Sequence, residues 1–305
     1  MTTLRILRAG PATTVQDRGR PGMLQHGISA SGPMDRGAFA EAAALLDRAG
    51  GEAIEITRAG LDFAVEGGPV RFAVAGGVFQ AKVNGTAMAW PGSVALADGD
   101  QVEIIPGPAG NYGYLRFDRT IDVPPLMGSR ATNLVAGLGG FGGRALRAGD
   151  VLPLAAVGIE AIMANRVAPR GLSNESMPIR FLWGIHADLF RPAVRQAFVG
   201  ASFSISNRLD RMGIRLEDGA GVFAGTPILS LVSDAVVAGD IQILGDGTPI
   251  VLMRDHQPTG GYPRIGTVIA ADLDRLAQMR PGTALAFAPV TLQKAHEFYL
   301  SGSAE

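Results

Sequence analysis

Apolar residues in this chain come in short bursts rather than in long periodic stretches. Arg71–Ala75, Gln101–Ile105, Tyr114–Phe117, Ile179–Trp183, Thr226–Val232, Ile250–Met253 and Leu285–Val290 are each bounded by Gly, Pro or Asp within a few residues. Such runs read as strands closed by tight turns. A small theme recurs at their entrances: Pro91-Gly92-Ser93 leads into Leu96-Ala97-Asp98-Gly99-Asp100, Gly143 to Gly149-Asp150 has the same form, and Pro281-Gly282-Thr283 echoes its first half. Three segments carry a helical pattern. Asp35 caps Arg36–Arg48 with Gly50-Gly51 as its stop, Asp188 caps Leu189–Val199, and Asp272 caps Leu273–Arg280 before Pro281-Gly282. The pattern predicts a mainly β protein with a few short helices. The polar stretch Ala164–Pro178 is the expected boundary between two interlocking halves, 1–165 and 166–305.

Composition narrows the functional classes. With 27 basic and 28 acidic residues and no basic tract, nothing selects a nucleic acid or an acidic lipid as partner. The chain has no cysteine, which excludes disulfides, thiolate metal sites and cysteine nucleophiles. Four histidines at 26, 186, 256 and 296 give no close ligand pair, so no metal is expected. No apolar segment of membrane-spanning length and no leader pattern is present, so the expectation is a cytoplasmic protein with no membrane partner.

Five stretches carry candidate chemistry. In Gly239–Thr267, Arg254, Asp255, His256, Gln257, Thr259, Tyr262 and Arg264 crowd around Gly260-Gly261, with prolines at 258 and 263. Such a loop can hold backbone N–H groups open for an oxyanion, a phosphate or a carboxylate, or it can be a long polar hairpin loop. Gln16, Asp17, Arg18 and Arg20 lie beside two glycines and suit an anion clamp or an internal Arg–Asp tie. Ser31 and Asp35 precede the first helix, where capping is the simpler role for Asp35. Gly128-Ser129-Arg130 with Gly137–Arg144 is glycine-rich but lacks the Lys-Ser or Lys-Thr of a nucleotide loop, which favours a structural role. In Ser204–Leu216, Arg208, Arg211 and Arg215 alternate with Asp210, which either holds one of the arginines over a binding face or belongs to a solvated strand.

Together these segments resemble the biotin-dependent carboxyltransferase family that groups the 5-oxoprolinase C subunit, urea amidolyase and allophanate hydrolase subunit 2. The resemblance rests on Thr14–Arg20, Ser31–Asp35, Gly128–Arg130, Asp210–Gly213, Gly239–Gln242 and Thr259–Pro263, collinear over about residues 5–290. It implies two cyclophilin-like β-barrel units. It implies a B-type partner protein of the same system, together with an A-type protein or a biotinyl carrier. It also implies either ATP-dependent opening of 5-oxoproline or carboxyl transfer from carboxybiotin on a carrier to urea or a related amide. ATP would be bound by the complex. A regulatory partner of the kinase-inhibitor-like B-type protein is the third implied role. The family commonly has Arg, Thr and Lys where this chain has His256, Pro258 and Arg264.

The resemblance assigns roles residue by residue. Asp255, His256, Gly260, Gly261 and Tyr262 would form the catalytic set, with backbone N–H groups near Thr259–Gly261 as an oxyanion site. Gln16, Asp17, Arg18, Arg20, Ser31, Asp35, Asp210, Arg211, Gln257, Thr259 and Arg264 would bind substrate. All are expected to converge on one pocket for a small carbonyl compound.

Overall fold

Strand Leu61–Glu66 alternates buried and half-buried residues, as a strand with one face on a core does. The same logic repeats through the chain and gives the β-rich fold seen in the computed structural model, which describes residues 1–48, 51–155, 177–225 and 230–300. The chain divides into two units: Met1–Pro21 with Ser31–Ser173, and Gly22–Ala30 with Asn174–Glu305. The predicted boundary stretch lies outside the described residues except for Met177 and Pro178.

The first unit is built on strand Gln101–Phe117, which pairs antiparallel with Leu61–Glu66, Ala53–Thr57 and Val70–Val83. The sequence suggests two strands here, because Pro106-Gly107-Pro108 reads as a turn. Instead the chain runs on through register shifts between Gly76 and Phe79 of the paired strand, where irregular pairing tolerates proline. Gly107 passes so close to that strand that a Cβ there would sit 2.1 Å from the Val78 carbonyl oxygen. Phe63, Phe72 and Phe117 fill the interior with ring centroids about 6 Å apart. Helix Arg36–Ala44 starts on Asp35, whose carboxylate accepts the Ala38 N–H at 2.9 Å. It ends short of the predicted Arg48, and Gly50 of the predicted stop lies outside the described residues.

The recurring Gly-Asp theme proves to be one turn used twice. Asp100 accepts the Ala97 N–H at 2.7 Å and Asp150 accepts the Arg147 N–H at 2.9 Å. Gly99 and Gly149 take φ of 85° and 90°, a conformation glycine adopts without steric cost.

In the second unit, eight strands run in the order Ala284–Leu285, Phe203–Leu209, Gly213–Glu217, Pro249–Leu252, Asp240–Ile243, Arg264–Val268, Ile179–Trp183, Phe287–Pro289. The first and last are halves of one stretch of chain, separated by Ala286. That stretch pairs antiparallel with Phe203–Ser204 at its start and parallel with Ile179–Phe181 at its end. The sheet therefore closes on itself as a barrel. Phe181, Phe198, Phe203, Phe223 and Phe287 pack its interior, with Phe198 stacked on Phe287 at 4.8 Å.

Several predicted elements shift. The second helix is Pro192–Gly200, not Leu189–Val199, because Pro192 fits the first helical turn, where its missing N–H has no intrahelical acceptor. Asp188 does not cap it, and instead sits in the short turn Ala187–Leu189 and pairs with Arg195 at 2.7 Å. The third is Ala270–Gln278, with Asp272 inside it, where the carboxylate receives the Arg180 backbone N–H and guanidinium. A fourth helix, Leu292–Leu300, follows in a segment for which the sequence pattern predicts none. In the predicted strand Thr226–Val232, residues 226–229 lie outside the described set, and Ser230–Val232 is not a strand. No helix among the described residues is long and apolar enough to cross a membrane.

Candidate functional site

The candidate residues fall into one group in each unit. Arg18 belongs to the first, and Arg211 and Gly260 to the second.

In the first unit, Asp17 joins two of the nominated stretches. Its carboxylate accepts the Gly19 N–H at 2.8 Å, the Ser129 hydroxyl at 2.6 Å and the Arg130 N–H at 2.6 Å. Gln16 is buried, and its side-chain N–H groups reach the Thr14 hydroxyl and the Thr132 carbonyl. Arg20 is buried and donates to the Ala131 carbonyl. Ser31 is buried in a left-handed conformation, φ 57°. The Asp17–Arg18 backbone runs beside Gly32, 3.2 Å from where a Cβ would lie. Arg18 is exposed. The glycine-rich loop 137–143 turns its N–H groups inward: Gly140 donates to Arg130, Gly142 to Gly140 and Gly143 to Gly139. These groups are committed within the fold, as in a structural connector.

In the second unit, Arg211 and Asp255 form a buried two-point ion pair, Nε to Oδ2 at 2.8 Å and Nη2 to Oδ1 at 3.0 Å. The Asp255 N–H also donates to the Arg211 carbonyl at 2.7 Å, so backbone and side chains lock the same two residues. Among the described residues Asp210 forms no ion pair with an arginine. It accepts the Met212 and Gly213 N–H groups and thereby builds the hairpin turn.

Arg264 uses its fork as a tie. One nitrogen reaches the Ala235 carbonyl at 2.8 Å and Asp240 at 3.3 Å, and the other reaches Asp234 at 2.6 Å. A lysine ammonium has no planar fork to match this set. Thr259–Gly260 pairs antiparallel with Asp234–Ala235, and the Gly261 carbonyl accepts the Leu231 N–H. The expected open oxyanion loop is thus a paired ribbon.

Beside this ribbon lies a cavity of about 390 Å³ lined by Arg208, Asp210, Arg215, Gln242, Gln257 and Tyr262, among others. Gln242 sits in a fully buried strand between Ile241 and Ile243. Its carbonyl oxygen accepts a hydrogen bond from the Gln257 amide at 3.2 Å, while its own Nε2 is buried with no partner among the described residues. That nitrogen would stand 2.4 Å from a Cβ at position 260, so any side chain there must displace the Gln242 amide. An unpaired buried amide donor is costly, and this one is sealed against Gly260 rather than open to the cavity. Tyr262 lines the cavity and is 39% exposed. His256 is buried, and its Nδ1–H donates to the Gln257 carbonyl at 2.6 Å; burial pushes its pKa below the ordinary value and keeps the ring neutral. Among the described residues no cluster of His, Asp and Glu is arranged to hold a metal.

Residues 26–289 match the carboxyltransferase domain, subdomain A and B, over most of the chain. The chain belongs to this carboxyltransferase family. It is 36% identical to the 5-oxoprolinase C subunit of Escherichia coli K12, covering 96% of this chain and 93% of that one. It is 29% identical to the urea amidolyase of Lachancea kluyveri, covering 94% of this chain but 17% of that protein. The solved urea amidolyase of K. lactis superposes with a TM-score of 0.88 at 26% identity, over 98% of this chain and 19% of that one.

Within this carboxyltransferase chain, sequence reasoning finds Gln257, Gly260 and Tyr262 but passes over Gln242 as a site residue. The available signal is a single amide in an otherwise apolar strand, Ile241-Gln242-Ile243, where an unpaired polar group is not tolerated without reason. Asp234 and Asp240, which hold Arg264, carry no comparable signal.

Proposed function

We propose that this chain is the carboxyltransferase-type subunit of a 5-oxoprolinase-type complex and takes part, with a B-type partner protein, in ATP-dependent opening of the lactam ring of 5-oxoproline. The observation that carries this reading is the 36% identity to a 5-oxoprolinase C subunit over 96% of this chain, together with a cavity of small-molecule size lined by Gln242, Gln257 and Tyr262. A lactam carbonyl is an acceptor suited to the side-chain amides lining that cavity, and a donor placed on the developing oxyanion contributes about 3–4 kcal/mol. Gln257 holds the Gln242 amide in orientation. Tyr262 offers the cavity a hydroxyl that can give or take a proton. Arg211 and Asp255 act behind the cavity by fixing the hairpin and the Met253–His256 segment in one register. ATP belongs to the complex in this reading, because the glycine-rich loop here uses its N–H groups internally.

The similarity to urea amidolyases supports a second reading, carboxyl transfer from carboxybiotin on a partner's carrier to urea or a related amide. The same amide-lined cavity would suit the ureido carbonyl, and biotin would supply the transferable carboxyl group.

Reconstitution with the B-type and A-type proteins tests the first reading. Loss of 5-oxoproline that requires ATP and every component, and that falls at least tenfold in Gln242→Leu, which removes the partner of the Gln257 amide, is expected. No loss of 5-oxoproline, with biotin-dependent carboxylation of urea in its place, would transfer the assignment to the second reading. Binding of the B-type protein with neither turnover would make the chain a regulatory partner.

A further inference from the structure

Six arginines of the second unit are tied to carboxylates among the described residues: Arg180, Arg195, Arg211, Arg254, Arg264 and Arg275 each have one within 4 Å. Arg208 and Arg215 form no ion pair among the described residues. They lie on neighbouring antiparallel strands, one residue outside the Leu209–Ile214 pair, and both line the cavity that holds Gln242, Gln257 and Tyr262. The carboxylate lining that cavity, Asp210, is already engaged with two backbone N–H groups. Both arginines also border an adjoining cavity of about 560 Å³ that contains Glu217, Asp218 and Asp246. Asp246, Asp218 and Glu217 each accept a hydrogen bond there, from Thr248, Phe223 and Ser204, and the Arg215 charge acts on Asp246 without forming an ion pair among the described residues.

Two guanidinium groups without ion pairs among the described residues, lining the same small cavity as two side-chain amides, match a molecule that carries both a carboxylate and an amide. We propose that Arg208 and Arg215 recognise the carboxylate of a lactam acid and set the specificity of the site against uncharged amides. The inference rests on the ring-opening reading and adds to it the residues that tell 5-oxoproline from urea. Urea gives an arginine pair nothing to neutralise, whereas a carboxylate meets paired, fixed N–H donors. Neither arginine belongs to the buried core, Arg208 being exposed and Arg215 half-buried, so substitution there leaves the fold in place.

The reconstituted complex is the sample, and 5-oxoproline and 2-pyrrolidinone, the same lactam without its carboxylate, are the probes. Equilibrium binding of both and the KM for 5-oxoproline are measured. Wild-type complex is expected to prefer 5-oxoproline by at least tenfold. Arg208→Gln and Arg215→Gln should each remove most of that preference by weakening 5-oxoproline while 2-pyrrolidinone binds as before, and Arg215→Lys should restore part of it. Turnover of 5-oxoproline with KM unchanged in both glutamine variants would overturn carboxylate recognition and leave the ring-opening reading standing. A binding preference that both variants abolish, in a complex that opens no lactam, would do the reverse. Absence of any preference in wild type would overturn the proposal outright.

Discussion

Arg211 and Asp255 face each other through two hydrogen bonds with side chains 3% and 0% exposed, although 44 residues separate them in sequence. Removing either partner strands a buried charge, which costs about 3–5 kcal/mol. Arg211→Ala and Asp255→Ala should each lower the stability of the second unit by that amount in denaturant melts. A double replacement by Met and Leu should cost clearly less than the sum. Additive losses would show that the two side chains act independently.

Gly260 makes a sharper prediction about activity than about stability. A methyl group there lands 2.4 Å from the Gln242 nitrogen, and overpacking of this kind costs about 1–3 kcal/mol. Since the displaced amide is the partner that orients Gln257 at the cavity, Gly260→Ala should reduce turnover of the reconstituted complex by at least tenfold. Gly219→Ala, where a Cβ meets nothing within 4 Å, should stay within about 0.5 kcal/mol of wild type and keep full turnover. Equal activity in the two variants would remove Gly260 from the site.

His256 gives a pH dependence with a defined sign. Burial holds its native pKa below the ordinary 6.5, so the unfolded chain binds the proton more readily. Its contribution to stability is therefore complete above pH 6.5 and is lost as the pH falls through the lowered native value. His186 is shifted the same way, so the comparison must be differential. Stability of wild type minus that of His256→Gln, followed by melting between about pH 5 and 8, should fall toward the acid side. A flat difference would mean that the ring is not held neutral.

Asp17 bridges loops in the first unit through acceptor contacts to Gly19, Ser129 and Arg130. Hydrogen bonds to a charged group are worth about 1.5–3 kcal/mol each in partly buried settings. Asp17→Ala should destabilise the first unit by about 2–4 kcal/mol, and Ser129→Ala by less. A thermal shift larger for Ser129→Ala than for Asp17→Ala would contradict this order.

What can be read from the sequence depends on how local the deciding contacts are. Strand Ile179–Trp183 and the Asp35 cap are legible because turn residues and a cap act within a few positions. Asp188 and Asp272 carry the same cap chemistry and are drawn elsewhere, to Arg195 and to Arg180 92 residues away. The Pro106–Gly110 stretch looks like a turn because no local rule reveals the neighbouring strand that carries it through. At the candidate site, the crowded Gly260 stretch announces itself. The partners that give it meaning, Gln242, Asp240 and Asp234, are placed by sheet order, which the chain does not spell out locally.

Barrel closure by Ala284–Pro289 has a consequence for biosynthesis. Both edges of the eight-strand sheet wait for a segment that leaves the ribosome after every other strand of that sheet. Until then Phe203–Leu209 and Ile179–Trp183 present unsatisfied peptide groups to whatever is nearby, the condition that invites strand exchange between nascent chains. Slow translation or premature termination upstream of residue 284 would leave this half of the molecule dependent on chaperones.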